Sequence, residues 1–144
     1  MPRPIVSQAS TQWNGDLFTG SGSTALETSH AATFDVNWKS RAEEAGGTTN
    51  PEELLAAAHA TCFTMQFSNM LKENGTAPTQ LNTTAEVTFE VGAGITAIAL
   101  KVNGQVEGLS AEDFSTIAGQ AKDQCPVSQA LAGVKDVTVE ATLA

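Results

Sequence analysis

The pattern of apolar and polar residues predicts strands at the start of the chain, one long helix in its middle, and further strands and helices after it. From Leu81 to Val91 apolar residues alternate with polar ones, which predicts a half-buried strand. Gly92–Gly94 turns the chain into a return strand, and residues 135–144 alternate again as a closing strand. Near the start, Asn-Gly within Trp13–Asp16 favours a two-residue hairpin turn between two strands.

The remaining segments complete an α+β pattern on a single domain, residues 1–144. Residues 30–38 predict a third early strand, and residues 42–50 a loop. Ser110 is positioned to cap a helix that runs to about Gln124, and a short helix with Pro126 near its start follows. Strands followed by helices, rather than a regular alternation of the two, are typical of α+β folds.

The long helix has well-marked ends. Asn50 is a favourable N-cap, Pro51 suits the first helical position, and Gly75 offers a left-handed C-terminal cap. The residues between Leu54 and Leu71 carry no charge. His59 and several other polar side chains exclude a membrane span, so the pattern indicates a core helix, wrapped by a sheet or by a partner subunit. A rod of about 36 Å is long for so small a chain to surround, which favours a dimer.

Composition and charge exclude several classes of function. The chain has 16 carboxylates against 7 Lys and Arg, a formal net charge of -9, which disfavours nucleic acid as a partner. The first residues contain no apolar segment of the signal-peptide type, so we expect a cytoplasmic, non-membrane protein with reduced thiols. Neither a metal site nor a nucleotide site is expected, because the sequence contains no closely spaced cysteine pair and no complete phosphate-binding motif.

The two cysteines are the candidate chemical groups. Cys62 lies in the uncharged part of the long helix, three positions after His59, whose role stays open. Cys125 precedes Pro126 at a helix N-terminus, where unpaired N–H groups and the helix dipole favour a thiolate. Two interpretations are compatible with these positions: a peroxidatic and resolving pair, or two buried thiols that act as small apolar residues.

Two segments resemble the signatures of a known family. "TNPEELLAAAHATCF" (Thr49 to Phe63) and "CPVSQAL" (Cys125 to Leu131) are similar to the two motifs of the osmotically inducible protein C and organic hydroperoxide resistance family. "WNGD" and "TTAEVTFE" also resemble family segments, so the likeness spans nearly the whole chain. The early "TQWNGDLF" contains no basic residue, which places the chain closer to the osmotically inducible branch.

The resemblance implies a fold and an activity. The family's proteins are intertwined homodimers in which antiparallel sheets wrap around two long central helices and the active sites lie at the subunit interface. The resemblance implies a cysteine-based peroxidase that reduces alkyl and fatty-acid hydroperoxides without a bound cofactor. It also implies an external dithiol reductant of the lipoyl type. The alternative is a small-molecule binding or redox-sensing domain of the same fold.

The resemblance also assigns roles to four residues. Cys62 matches the peroxidatic cysteine and Cys125 the resolving one, while Arg41 matches the activating arginine and Glu52 the carboxylate that orients it. Glu52 and Cys62 are ten positions apart on one helix, hence about 15 Å apart, so a shared site requires Glu52 from the partner subunit. An apolar mouth for the substrate is expected from Phe63, Met65 and Trp38, and from Phe67 only if the partner supplies it.

Overall fold

A computed structural model describes residues 2–144 and confirms the α+β class. Two compact units divide the chain after Pro51. The first unit contains strands β1 (Ala9–Asn14), β2 (Ser21–Leu26) and β3 (Thr33–Val36) and helix α1 (Trp38–Ala42). The second unit contains α2 (Pro51–Glu73), β4 (Gln80–Glu90), β5 (Gly94–Gln105), α3 (Ala111–Gln124), α4 (Pro126–Ala130) and β6 (Asp136–Leu143). The boundary falls after the first residue of α2, so Pro51 itself is counted with the first unit. A single domain over 1–144 stays a prediction.

The first unit is an antiparallel sheet in the order β1-β2-β3. The expected two-residue hairpin is wrong, because Asn14 pairs with Ser21 and a longer loop joins the two strands. Asp16 organises this loop: its carboxylate accepts hydrogen bonds from the backbone N–H of Phe18 and from the N–H and hydroxyl of Thr19. The Thr19 hydroxyl is the main reason that the pKa of Asp16 lies below its ordinary value.

The third strand is shorter than its pattern indicates. It ends at Val36, and the Asn37 side chain accepts a hydrogen bond of 2.8 Å from the N–H of Ser40. This cap starts α1, so the prediction of a strand through Trp38 is wrong, and the loop begins only after Ala42. The cap competes successfully with strand pairing because Asn hydrogen-bonds readily to nearby backbone groups.

Helix α2 has the predicted ends and is buried on one side. It begins at Pro51 and ends at Glu73, and Gly75 then takes a left-handed φ of 84° while the Thr76 N–H bonds to the Leu71 carbonyl. Its buried stripe consists of Glu52, His59, Phe63, Phe67 and Leu71. The opposite side is exposed and uncharged along Ala57, Ala58, Thr61, Met65 and Asn69, which we call the uncharged face. Within one chain, α2 is therefore only half enclosed. No helix among the described residues is long and apolar enough to span a membrane.

The second sheet has the order β4-β5-β6 and combines both strand orientations. β4 and β5 are antiparallel, and β4 shows the predicted alternation of exposed and half-buried residues. β6 is parallel to β5, which differs from the expectation of antiparallel sheets alone. The helices α3 and α4 lie between these strands in the chain, and such a crossover returns the chain in the same direction.

The core of the second unit lies between α2, α3 and the second sheet. Phe114, Ala118, Ala121 and Cys125 recur at helical spacing and are fully buried. The rings of Phe67 and Phe114 have centroids 4.9 Å apart, so α2 and α3 meet directly. This packing fixes the end of α3, and thereby the start of α4, relative to α2.

Candidate active site

Cys125 lies at the junction of two helices. Its backbone N–H bonds to the Ala121 carbonyl as the C-cap of α3, and the same residue is the N-cap of α4. Pro126 lacks an N–H and therefore ends α3, while its fixed φ suits the first position of α4. The Cys125 side chain is fully buried. The sequence Cys-Pro thus places a thiol inside the core at a break between helices.

The structure brings Cys62 and Cys125 together although they are 63 positions apart in the chain. The Cys125 thiol and the backbone N–H of Val127, in the first turn of α4, both lie close enough to the Cys62 sulfur to shift its pKa. Both cysteines are free thiols. The two thiols are neighbours in the fold, which a disulfide between them requires.

The surroundings of Cys62 favour its protonated form. Burial is the largest effect and raises the pKa of the Cys62 thiol, and the hydrogen bond with Cys125 raises it further. The Val127 N–H lowers the pKa, but it does not outweigh burial. A reactive thiolate at neutral pH therefore requires a positive charge in addition to these contacts.

Cys62 forms part of the wall of an open pocket of about 600 Å³. The pocket is lined mostly by apolar groups: Ala57, Ala58, Thr61, Cys62, Met65, Gln66, Asn69 and Pro126. Cys125 lies behind Cys62 and does not line it. A molecule that enters the pocket therefore meets Cys62 first.

The predicted mouth residues differ in their positions. Met65 lines the pocket, as expected, and is 69% exposed. Phe63 does not: it is fully buried and packs on Phe67 with ring centroids 5.6 Å apart, so its assignment to the mouth is wrong. Phe67 lies in the same core, which leaves it unavailable to a partner's pocket. Trp38 contacts Phe18 edge to face within the first unit, and its role in the mouth stays a prediction.

A second polar pair lies beside the two thiols. The Nε2 of His59 and the Oγ of Ser128 are 2.6 Å apart, which joins the buried face of α2 to α4. His59 is fully buried, and burial lowers the pKa of its ring, so the imidazole is neutral at neutral pH. Ser128 was not singled out from the sequence. Ser128 follows Cys125 by three positions, as Cys62 follows His59, and this matched spacing was the available signal.

Glu52 and Arg41 occupy different elements. Glu52 is buried in the first turn of α2 and is 5% exposed. The uninterrupted helix keeps it about 15 Å from Cys62 of the same chain, so the structure does not bring these two residues together. Arg41 is half-buried in α1 of the first unit. The roles predicted for Arg41 and Glu52 remain predictions.

Comparisons with known proteins identify the family of the chain. The model of the family described as OsmC-like protein matches residues 44–140. Peroxiredoxin OsmC of Escherichia coli (strain K12) is 42% identical over 130 residues, which cover 88% of this chain and 90% of that protein. Organic hydroperoxide resistance protein OhrA of Bacillus subtilis (strain 168) is 33% identical over 104 residues, 69% of this chain and 72% of its own.

A solved structure confirms the fold. The OsmC-like protein from Mycoplasma pneumoniae superposes with a TM-score of 0.73 over 98% of this chain and 99% of its own, at 15% sequence identity. The sequence relatives, the family match and the shared architecture lead to one assignment. The chain belongs to the OsmC-like protein family.

Proposed function

We propose that this protein is a thiol-dependent peroxidase that reduces organic hydroperoxides to alcohols. The observation that carries the proposal is the position of Cys62 on the wall of an apolar pocket, with the buried Cys125 thiol next to it. The names of the relatives, a peroxiredoxin and organic hydroperoxide resistance proteins, support the same activity.

The reaction begins at Cys62 and ends with a disulfide. The Cys62 thiolate attacks the terminal oxygen of the hydroperoxide, the O–O bond breaks, and the alkoxide takes up a proton and leaves as the alcohol. Cys62 is then a sulfenic acid. The Cys125 sulfur attacks the Cys62 sulfur, the S–O bond breaks, and the hydroxyl leaves as water with the proton of Cys125. An external dithiol, for which a lipoyl group is our candidate, reduces the Cys62–Cys125 disulfide.

The pocket accounts for a preference among peroxides. Its lining offers methyl, methylene and thioether groups, with the amides of Gln66 and Asn69 as polar members. An alkyl chain gains free energy by leaving water for such a surface, whereas hydrogen peroxide has no apolar part to bury. We therefore expect alkyl and fatty-acid hydroperoxides to react faster than hydrogen peroxide.

Arg41 and Glu52 complete the proposed site. Because the contacts of Cys62 raise its thiol pKa, the reaction needs a cation that stabilises the thiolate and the departing alkoxide. The Arg41 guanidinium would supply that charge, and Glu52 would hold it in one orientation. Glu52 would act on the Cys62 of the other subunit, because its own Cys62 is about 15 Å along the same helix.

A homodimer follows from this arrangement and from the exposed apolar surface. The uncharged face of α2 is open in the single chain, with Met65 69% exposed. In the first unit Ile5, Val6 and Phe18 are at least 73% exposed. Apolar patches of this kind mark interaction surfaces. A second copy of the chain would lie along these surfaces and place two α2 helices at the centre of the assembly. Because the uncharged face also lines the pocket, the substrate would then bind at the subunit interface, between the pocket wall and the partner.

Peroxide consumption by native protein and two cysteine variants tests the activity. With cumene hydroperoxide and dihydrolipoamide, native protein should turn over, Cys62→Ser should fall to the thiol background, and Cys125→Ser should react once and then be inactivated. Equal consumption by native protein and Cys62→Ser would contradict the proposal. Disulfide formation without turnover would favour a redox sensor, and an unreactive Cys62 would favour a binding domain.

A further inference from the structure

Helix α4 carries the N–H that contacts Cys62, and beyond the start that α3 fixes it is held by few contacts: Val127 packs half-buried against the core and the Gln129 amide donates to the Asp123 carbonyl. It spans only Pro126–Ala130, none of its residues is buried, and its N-cap Cys125 makes no side-chain hydrogen bond to the N–H groups of the helix itself. A single helical turn is unstable by itself in water. Contacts with neighbouring elements must therefore fix the position of α4 relative to α2.

Some polar contacts between α2 and the Cys125–Ala130 segment involve a sulfur atom, and one does not. The contacts of the Cys125 thiol and of the Val127 N–H are both with the Cys62 sulfur. The bond of 2.6 Å between His59 Nε2 and Ser128 Oγ involves no sulfur. When Cys62 becomes a sulfenic acid, its thiol proton is gone and an oxygen is added, so its own two contacts are altered. The His59–Ser128 bond is unaffected by that change.

Two matched spacings place the histidine pair next to the reacting pair. His59 precedes Cys62 by three residues on α2, and Ser128 follows Cys125 by three residues on α4. Residues three apart on a helix are neighbours on one face. The His59–Ser128 bond therefore lies one helical turn from the two sulfurs and restrains the segment that carries Cys125.

A purely structural role does not account for a histidine at this position. His59 is fully buried, and its Nδ1 finds no hydrogen-bond partner among the described residues. A buried, unpaired ring nitrogen destabilises the fold, and an apolar side chain of similar size would avoid that penalty. The bond made by Nε2 is what the histidine contributes and an apolar residue would lack. Burial also keeps the ring neutral, so it acts by hydrogen bonding rather than by charge.

We propose that His59, through its hydrogen bond to Ser128, is a positioning residue for the resolving step: it holds Cys125 within reach of the oxidised Cys62. This role rests on the proposed peroxidase function. In the step concerned, the Cys125 sulfur forms a bond to the Cys62 sulfur, the S–O bond of the sulfenic acid breaks, and water leaves. If resolution is slow, a second hydroperoxide oxidises the sulfenic acid to a sulfinic acid, which is a dead end for the enzyme.

The test separates the two chemical steps in Ser128 variants. Ser128→Ala removes the hydroxyl at a half-buried position, Ser128→Thr keeps it, and Ser115→Ala on the exposed side of α3 is the matched control. Rapid mixing with cumene hydroperoxide, acid quench and intact-mass analysis give the rates of sulfenic acid and disulfide formation. Thermal unfolding measured on the same samples reports any general loss of stability.

We expect Ser128→Ala to form the sulfenic acid at the native rate and the disulfide about tenfold more slowly, with more sulfinic acid during turnover. Ser128→Thr and Ser115→Ala should behave like the native protein. Disulfide formation at the native rate in Ser128→Ala would overturn the role of His59 and leave the peroxidase proposal intact. Native protein that forms no sulfenic acid would overturn the peroxidase proposal itself.

Discussion

At the residue scale, the chain keeps its two thiols in different environments. Cys125 is fully buried between two helices, whereas Cys62 is half-buried beside an open pocket. In the proposed reaction this difference is the reason that Cys62 reacts first and Cys125 second, because Cys62 lines the pocket and Cys125 does not. The same burial that protects the pair also raises the pKa of Cys62.

The pH dependence of the reaction follows from that raised pKa. Because only the thiolate reacts, the rate with hydroperoxide should rise with pH until the pH passes the pKa of Cys62. If Arg41 stabilises the thiolate, Arg41→Met should move this rise to higher pH and lower the rate at neutral pH on the order of 100-fold. The second-order rate constant from pH 5 to 10 is the measurement.

Lys39→Met is the control for this variant. Lys39 lies two residues earlier on the same short helix, is 69% exposed, and loses the same charge on substitution. It should leave the pH profile unchanged, because an exposed charge is screened by solvent. Identical profiles for native protein and Arg41→Met would show that another group activates Cys62.

At the element scale, the close packing of α3 on the second sheet sets the position of Cys125. Gly104 on β5 makes this approach possible: a Cβ at that position would lie 2.5 Å from the Phe114 ring and 3.0 Å from Leu81. Because Gly104 has no side chain, the Phe114 ring packs directly against β5. Any shift of α3 would move Cys125, which caps its C-terminal end.

Gly104→Ala should therefore destabilise the protein by roughly 1–3 kcal/mol, the usual range for overpacking a core. Urea unfolding followed by circular dichroism measures the change. Gly119→Ala on α3 is the matched control, since nothing lies within 4 Å of its added Cβ. There the same methyl group should stabilise the helix by about 0.5–1 kcal/mol. A neutral Gly104→Ala would show that Phe114 can move away without loss of packing.

At the scale of the whole molecule, the proposed site depends on two subunits. Helix α2 holds Glu52 and Cys62 at fixed positions ten residues apart, and no rotamer change closes about 15 Å. The exposed uncharged face of α2 is where a second copy would bring its own helix. The oligomer is therefore part of the proposed chemistry, and complementation between subunits can test it.

A mixture of two inactive variants should regain activity. Glu52→Gln protomers retain Cys62, and Cys62→Ser protomers retain Glu52. After unfolding and refolding together, half of the dimers are mixed, and each mixed dimer has one complete site if Glu52 serves the other subunit. We expect about a quarter of native activity in the hydroperoxide assay. Each variant refolded alone is the control. If the mixture recovers no activity, Glu52 does not serve the Cys62 of the other subunit.

The local elements and the family could be predicted from the amino-acid sequence alone. The ends of α2, the cap at Ser110, the alternation along β4 and the Cys-Pro break before α4 all depend on residues close together in the chain, so each was readable in advance. Two local predictions failed: the Asn37 cap shortened β3 and started α1, and a longer loop replaced the two-residue turn after Asn14. Local patterns succeed because hydrogen bonds and side-chain periodicity act over a few residues.

Contacts between residues that are distant in the chain could be seen only in the tertiary structure. The fold places Phe63 in the core and Met65 on the wall of the pocket. It also makes β6 parallel to β5 and brings His59 into hydrogen-bond contact with Ser128. The same fold brings together two cysteines that are 63 positions apart in the chain. These outcomes depend on how α2, α3 and the sheet pack, and packing joins residues whose separation along the chain carries no information about their separation in space.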